Sequence, residues 1–140
     1  MIDDHKRLVA VLNEKIEAGK VMNALAHMSL GLGGSVPDRE ELKLMNYRDA
    51  GGNDHANISA RPFIILQARN SNQIRILRNA AIQNNIRFVD FTNTMTEGTY
   101  EDQIKRSGET KEEDLEYWGM VVFGDEAIVS ELTRKFSLWK

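Results

Sequence analysis

The sequence contains no cysteine and only two prolines among its 140 residues. Without cysteine, the chain has no disulfides, no cysteine-based zinc site and no thiol chemistry. No apolar run is long enough to span a membrane, and the residues that follow Met1 do not have the pattern of a signal peptide. We therefore expect a cytoplasmic protein with no membrane partner.

The sequence also lacks an excess of basic residues. Lysine and arginine number 18 against 21 acidic residues, which gives a formal net charge of −3. Domains that bind nucleic acid usually carry a basic excess or a clustered basic face, so the charge gives no support for a nucleic-acid partner. The hydrophobic fraction of 41% is typical of a globular protein. At this length we expect one domain that spans residues 1–140.

Hydrophobic patterns along the chain alternate between the periods of strands and helices. Apolar runs predict strands at residues 7–12, 62–66, 87–92 and 120–123, with a weaker one at 42–47. Helical spacing predicts helices at 17–34, after Ser71, around 100–106 and after 124. This order predicts an α/β fold, a three-layer sandwich in which a small mixed, mostly parallel sheet carries helices on both faces.

The first predicted helix carries Lys20 and His27, which are seven residues apart and therefore point from one face. Their separation along the axis is about 10 Å, too long for direct contact but suitable for two ends of one ligand. The first corner between a strand and a helix is where ligands usually bind in open α/β sheets. Lys20 lies in the first turn of the helix, where its positive charge opposes the helix dipole. An anion held by Lys20 and the free amides of that turn would offset this unfavourable interaction. The alternative is a surface lysine and a hydrogen-bonded histidine at the edge of the core.

Residues 49–59 form the second candidate group and are predicted to be a loop, because Gly, Asn and Asp dominate them. Asp54 precedes His55 and could orient its imidazole for acid–base chemistry, and Ser59 lies nearby. The alternative is a surface turn capped by its own side chains. Only three histidines are present, and no spacing of metal ligands is recognisable, so we predict neither a metal nor a cofactor.

Polar residues also follow the strand predicted at 87–92. Asp90, Thr92 and Thr94 lie at or just beyond its end. In parallel α/β sheets such side chains reach the ligand cleft, so we count them as candidate binding residues. Alternatively, their side chains only stabilise a turn or cap a helix.

A strand followed by Gly19-Lys20, with His27 two turns later, is similar to the first strand–helix unit of the type 2 peptidyl-tRNA hydrolases. Other segments resemble, more closely, an uncharacterised domain family of the same superfamily. The resemblance to the uncharacterised family lies in Ala26-His27 through Gly31-Leu32-Gly33, Asp54-His55 with Ile58-Ser59, Asp90-Phe91-Thr92, and Asp114 through Gly119 leading to Phe123-Gly124.

The resemblance implies a small α/β fold of the type 2 peptidyl-tRNA hydrolase kind, with a mixed sheet, and a homodimer. Gly19, Lys20 and His27 match the hydrolase motif, whereas Ala24 stands where the hydrolases have glutamine. The string Arg48-Asp49-Ala50-Gly51 occurs in the hydrolases at the end of the third strand, but here it follows the first helix.

Three functions follow as hypotheses. The first is a protein that binds a small anionic ligand near Lys20, His27 and the 49–59 loop. The second is a hydrolase of peptidyl-tRNA or a related ester or amide, in which His27 acts as acid–base and Lys20 holds the oxyanion or phosphate. The third is a non-catalytic dimeric module in which these residues are structural.

Overall fold

The structure is a computed structural model that describes residues 5–140. Within these residues, seven strands and four helices follow one another along the chain. Their bounds are β1 (Lys6–Asn13), α1 (Ala18–Ser35), β2 (Leu44–Arg48), β3 (Asp54–Ser59), β4 (Phe63–Ala68), α2 (Ser71–Gln83), β5 (Arg87–Thr92), α3 (Tyr100–Gly108), β6 (Tyr117–Asp125), α4 (Glu126–Thr133) and β7 (Ser137–Leu138).

The main sheet has five strands in the order β5-β6-β1-β4-β7. Only β1 and β4 are parallel neighbours, and the other three pairs are antiparallel. The expected mostly parallel sheet is therefore wrong, although the sheet is mixed. Strands β1, β4 and β5 do share one direction, but β6 lies between β1 and β5 and runs opposite to both.

The reversal of β6 has its origin in residues 93–116. Thr92 at the end of β5 pairs with Tyr117 at the start of β6, and the Asn93 amide donates to the Glu116 carbonyl oxygen at 2.9 Å. The chain therefore leaves the sheet and returns to it at the same edge, as in a long hairpin. A helix in such a segment, here α3, resembles the helix of a parallel crossover when only the sequence is considered.

Helices cover both faces of the sheet, which confirms the expected layers. Helix α1 buries Val21, Ala24, Met28 and Leu32 against one face. On the opposite face, α2 buries Ile74, Leu77 and Ala81, and α4 buries Val129. Both faces of β1 are thus covered, which explains its continuous apolar run.

Gly119 brings α1 close to β6. A Cβ atom at this position would lie 2.8 Å from Met28 Cε and 2.9 Å from Leu12 Cδ2. These separations are shorter than carbon–carbon van der Waals contact. Because Gly119 has no side chain, the helix that carries Lys20 can pack closely on the sheet below it.

Strands β2 and β3 form a separate antiparallel hairpin. The predicted loop at 49–59 is only partly correct, because residues 54–59 form β3 and the turn covers residues 49–53. Every residue of the two strands except Ser59 is exposed. The weaker strand predicted at 42–47 corresponds to β2. Strand β3 is predicted as loop, because Asp54, Asn57 and Ser59 are residue types typical of turns.

Candidate functional site

A cleft lies beside α1, where the helix passes the end of β5 and the segment that follows it. Two adjoining cavities of about 400 and 310 Å³ form it, and they share Asn23, Phe91, Met95 and Thr96 in their walls. We call these two cavities together the α1 cleft. Their volumes lie within or close to the usual range for small-molecule sites.

Lys20 and His27 both line the α1 cleft, each in one of its two cavities. Asn23 lies between them, so that the three polar residues occupy one face of the helix at spacings of three and four. Within residues 5–140, none of these three side chains makes a hydrogen bond or an ion pair. The helix therefore presents unused donors and acceptors to the cleft.

The Lys20 cavity is also lined by Gly19, Glu97 and Trp118. It adjoins the beginning of α1, where the N-cap residue Glu17 makes no side-chain cap and the first turn has no acidic residue. The first turn therefore contributes no carboxylate to balance the positive end of the helix dipole, and the Glu17 carboxylate beside it makes no hydrogen bond to the helix amides. Lys20 and the helix start both favour a negative group, while Glu97 provides the opposing charge.

The His27 cavity is lined by Met28, Val89 and Gln103 in addition to the shared residues. The imidazole lies 6.2 Å from the Phe91 ring, measured between centroids, with the two planes tilted by 32°. The exposed imidazole therefore lies beside an apolar ring, in a cavity with space for a hydrogen-bonding partner.

Thr92 and Thr94 hold the wall of the cleft in place. Both are buried, and their hydroxyl oxygens lie 2.8 Å apart. The Ser107 hydroxyl donates to Thr94 Oγ1 at 2.7 Å, and Arg106 Nη1 donates to the Thr94 carbonyl oxygen at 2.9 Å. These bonds tie the segment after β5 to α3, and neither threonine is among the residues that line the cleft.

Asp90 lies at the cleft, but its carboxylate is occupied elsewhere. Arg78 Nε of α2 donates to Asp90 Oδ2 at 2.9 Å. Because Val89 and Phe91 pack on the α1 face, the alternation of the strand directs Asp90 to the α2 face. Of the three candidates near the end of β5, Asp90 alone lines the cleft.

The remaining candidates lie in or beside the β2–β3 hairpin and do not line the α1 cleft. Asp54 pairs with Arg48 at 2.8 Å, and the Ser59 hydroxyl donates to the Leu42 carbonyl oxygen. His55 Nε2 lies 2.8 Å from Asp49 Oδ2, and its ring stacks on Tyr47 at a centroid distance of 4.9 Å.

Asp49 organises the turn between these strands. Its Oδ1 accepts the amides of Gly51 and Asn53 at 2.9 and 3.0 Å. The bond to His55 is the largest influence that lowers the pKa of Asp49, followed by the bond to the Asn53 amide. This arrangement is the self-capped surface turn that we considered as the alternative.

Other cavities are larger than either cavity of the cleft, at about 540, 520 and 420 Å³. In the first, Lys6 pairs with Glu41 at 2.6 Å, and Arg87 donates to the Ser35 carbonyl oxygen at 2.8 Å. The second lies along the exposed strand β2.

In the cavity of 420 Å³, Gln67 Nε2 donates to Glu14 Oε2 at 3.1 Å. We favour the α1 cleft, because the side chains of Lys20, Asn23 and His27 make no hydrogen bond or ion pair within the described chain.

Sequence reasoning missed several residues of the cleft. Asn23 had a usable signal, because it lies three residues after Lys20 on the same helical face. Phe91 and Trp118 had none, since aromatic residues in strands are usually part of the core. Glu97 and Gln103 come from the segment at 93–116, whose path the sequence did not indicate.

Within residues 5–140, no group of three or more His, Cys, Asp or Glu side chains is placed to hold a metal ion. In the same range, no helix has both the length and the apolar character needed to cross a membrane.

Comparison with known proteins identifies a family. The family model described as "Protein of unknown function (DUF2000)" matches residues 6–140. No curated protein matches the chain. A solved structure of the protein of unknown function Atu0240, from Agrobacterium tumefaciens strain C58, is similar, with a TM-score of 0.85 and 16% identity over 99% of this chain and 100% of the other. At 16% identity this similarity shows only a shared fold. The match of the family model shows that the chain belongs to the DUF2000 family of proteins of unknown function.

Proposed function

We propose that the protein binds a small anionic ligand in the α1 cleft. The observation that carries the proposal is the row of Lys20, Asn23 and His27, which face one cleft and have no partner within the described chain. Lys20 holds the anionic group, and the amide of Asn23 and the imidazole of His27 bind polar groups farther along the ligand. The apolar side chains of Phe91 and Met95 form the opposite wall.

Electrostatics at the Lys20 end support an anion more than a cation. A lysine in the first turn of a helix opposes the dipole by about 0.3–1 kcal/mol. A bound anion removes this penalty and accepts hydrogen bonds from the amides that have no partner at the helix start. Glu97 weakens the local positive potential, so we expect modest affinity for a simple anion.

The test is a titration with inorganic phosphate, followed by thermal unfolding of wild type and two variants. A ligand that binds only the folded state raises Tm, and we expect phosphate to do so in wild type but not in Lys20→Gln. Lys111→Gln is the matched control, because Lys111 is an exposed lysine outside both cavities. An equal rise in wild type and Lys20→Gln would refute the role of Lys20.

The second candidate function is hydrolysis of an ester or amide, with peptidyl-tRNA as the substrate that the sequence resemblance indicates. The exposed imidazole of His27, with no hydrogen-bond partner within residues 5–140, supports it. His27 would move the proton, and Lys20 would stabilise the oxyanion or phosphate. Turnover of a model peptidyl-tRNA should disappear in His27→Asn while Tm is unchanged, and undiminished turnover in that variant would exclude this role.

The type 2 peptidyl-tRNA hydrolase-like fold, the cytoplasmic location and the homodimer remain proposals. The order of the first strand, the helix that carries Lys20 and the later strands supports the hydrolase-like fold. Exposed apolar residues on the outer face of α1 support the homodimer. Met22 is 61% exposed and Leu30 is 78% exposed.

A further inference from the structure

The Lys20 end of the α1 cleft has an aromatic wall. Phe91 and Trp118 both line this cavity, with ring centroids 5.7 Å apart and planes tilted by 36°. Each is partly buried against the α1 side of the core. The indole N–H of Trp118 donates to Glu116 Oε1 at 3.2 Å, which holds the ring in orientation. The cavity therefore offers a fixed aromatic surface on which a flat ring can stack.

Two charged groups of opposite sign share this cavity with the aromatic wall. The Lys20 ammonium has only donors, and the Glu97 carboxylate has only acceptors. Neither is paired within the described chain. A ligand that satisfies both needs an anionic group for Lys20 and hydroxyl donors for Glu97. Glu97 opposes a simple anion but suits an anion that also carries hydroxyl groups.

A flat ring, a pair of hydroxyl groups and an anionic group occur together in a ribonucleotide. We propose that the Lys20 cavity binds a ribonucleoside monophosphate. The base stacks on Trp118 and Phe91, the ribose hydroxyls donate to Glu97, and the phosphate binds Lys20. This inference rests on the proposed anion site and adds the class of its ligand. The cavity of about 310 Å³ is of small-molecule size.

The experiment compares AMP, 2′-deoxy-AMP and ribose 5-phosphate as ligands of the full chain. The protein has two tryptophans, Trp118 and Trp139. In a Trp139→Phe background, the fluorescence therefore reports on Trp118 alone. We expect AMP to quench this emission. Measured by calorimetry, AMP should bind at least about five-fold tighter than ribose 5-phosphate, because stacking of one base on an aromatic side chain contributes about 1 kcal/mol or more.

Variants separate the contacts. In Trp118→Leu, the affinity for AMP should fall to that for ribose 5-phosphate, whereas Trp139→Phe should leave it unchanged. If Trp118→Leu does not fold, Phe91→Leu tests the same wall. Glu97→Gln should remove the preference for AMP over 2′-deoxy-AMP.

The outcomes distinguish this inference from the proposed function. If ribose 5-phosphate binds in a manner that depends on Lys20, and AMP binds no tighter, the anion site stands and the nucleotide class is overturned. If none of the three ligands nor phosphate raises Tm or releases heat, both are overturned. Equal AMP affinity in wild type, Trp118→Leu and Phe91→Leu would also overturn the stacking role.

Discussion

Lys20 and Glu97 line one cavity of the α1 cleft with opposite charges. In the proposed anion site, we expect the balance of these two charges to set the affinity. Both side chains are exposed, so water and salt reduce their effects. At this scale, the sequence indicated Lys20 through its position in the first turn of a helix. It did not indicate Glu97, which reaches the cavity only because the chain returns to the sheet after β5.

We predict that Glu97→Gln strengthens the binding of inorganic phosphate by roughly two- to five-fold at low salt, because it removes a like charge worth up to about 1 kcal/mol in water. The gain should decrease as ionic strength rises. Calorimetric titration at two salt concentrations measures both effects. Glu113→Gln, an exposed acid outside the cleft, is the control. Weaker phosphate binding in Glu97→Gln would contradict the electrostatic model.

Tyr117 and Glu112 form a second residue-scale pair. Tyr117 is buried, and its hydroxyl donates to Glu112 Oε2 at 2.7 Å. The hydrogen bond from Tyr117 is the largest cause that lowers the pKa of Glu112, with Arg75 second. Burial, followed by this bond, raises the pKa of Tyr117.

We predict that Tyr117→Phe raises the pKa of Glu112 toward its ordinary value and lowers the free energy of unfolding by about 1 kcal/mol at neutral pH. The lowered pKa stabilises the wild type above the ordinary pKa of about 4.5. This stabilisation is lost as the pH falls through the folded-state value. The difference between wild type and variant should therefore shrink in acid. NMR titration of Glu112 and urea unfolding at several pH values test this, and a difference independent of pH would count against it.

At the scale of the element, the segment at 93–116 determines both the sheet and the site. The patterns predicted β5 and α3 close to their observed positions. They did not predict that β6 lies between β1 and β5, because neighbouring strands are chosen by packing and not by local pattern. Similarly, the sequence predicted that α2 begins after Ser71, whereas the helix begins at Ser71 and its cap is Asn70. The Asn70 side chain accepts the Gln73 amide, while Ser71 Oγ accepts the Tyr117 amide.

We predict that Thr94→Val destabilises the protein by about 1–3 kcal/mol, since it leaves the buried Thr92 hydroxyl and the Ser107 hydroxyl without their partner. Phosphate binding should weaken as well, because the wall that carries Met95 to Glu97 loses part of its attachment to α3. Denaturant unfolding and calorimetry measure the two effects. Thr99→Val is the control, because it disrupts the cap of α3 but Thr99 does not line the cavity. This variant should lower stability without weakening phosphate binding.

At the scale of the whole molecule, two large apolar side chains of α1 have no cover within residues 5–140. Met22 and Leu30 point away from the sheet, and they lie on a helix whose only lysine or arginine is Lys20 and which has no acidic residue. Exposed apolar side chains on an uncharged side of a helix are a candidate contact surface for another protein. It supports the homodimer that the sequence resemblance implies.

We predict that the protein sediments as a dimer and that Leu30→Glu shifts it to a monomer, because a carboxylate buried in an apolar interface has no partner. Ile82→Glu, which changes a 52% exposed side chain on α2, is the control and should leave the dimer intact. Sedimentation velocity over a range of concentrations measures the equilibrium. A wild-type monomer at all concentrations would refute the prediction.

The sequence by itself determined the four helices, the four long strands of the sandwich (β1, β4, β5 and β6) and the shared face of Lys20 and His27, but not the two-residue strand β7. These features depend on local periodicity: a seven-residue spacing places two side chains on one side of any helix. Tertiary structure alone decided the direction of β6, the exposure of the β2–β3 hairpin, and the meeting of Lys20 with Glu97 and Trp118. These features depend on contacts between residues far apart in the chain, for which local pattern carries no signal.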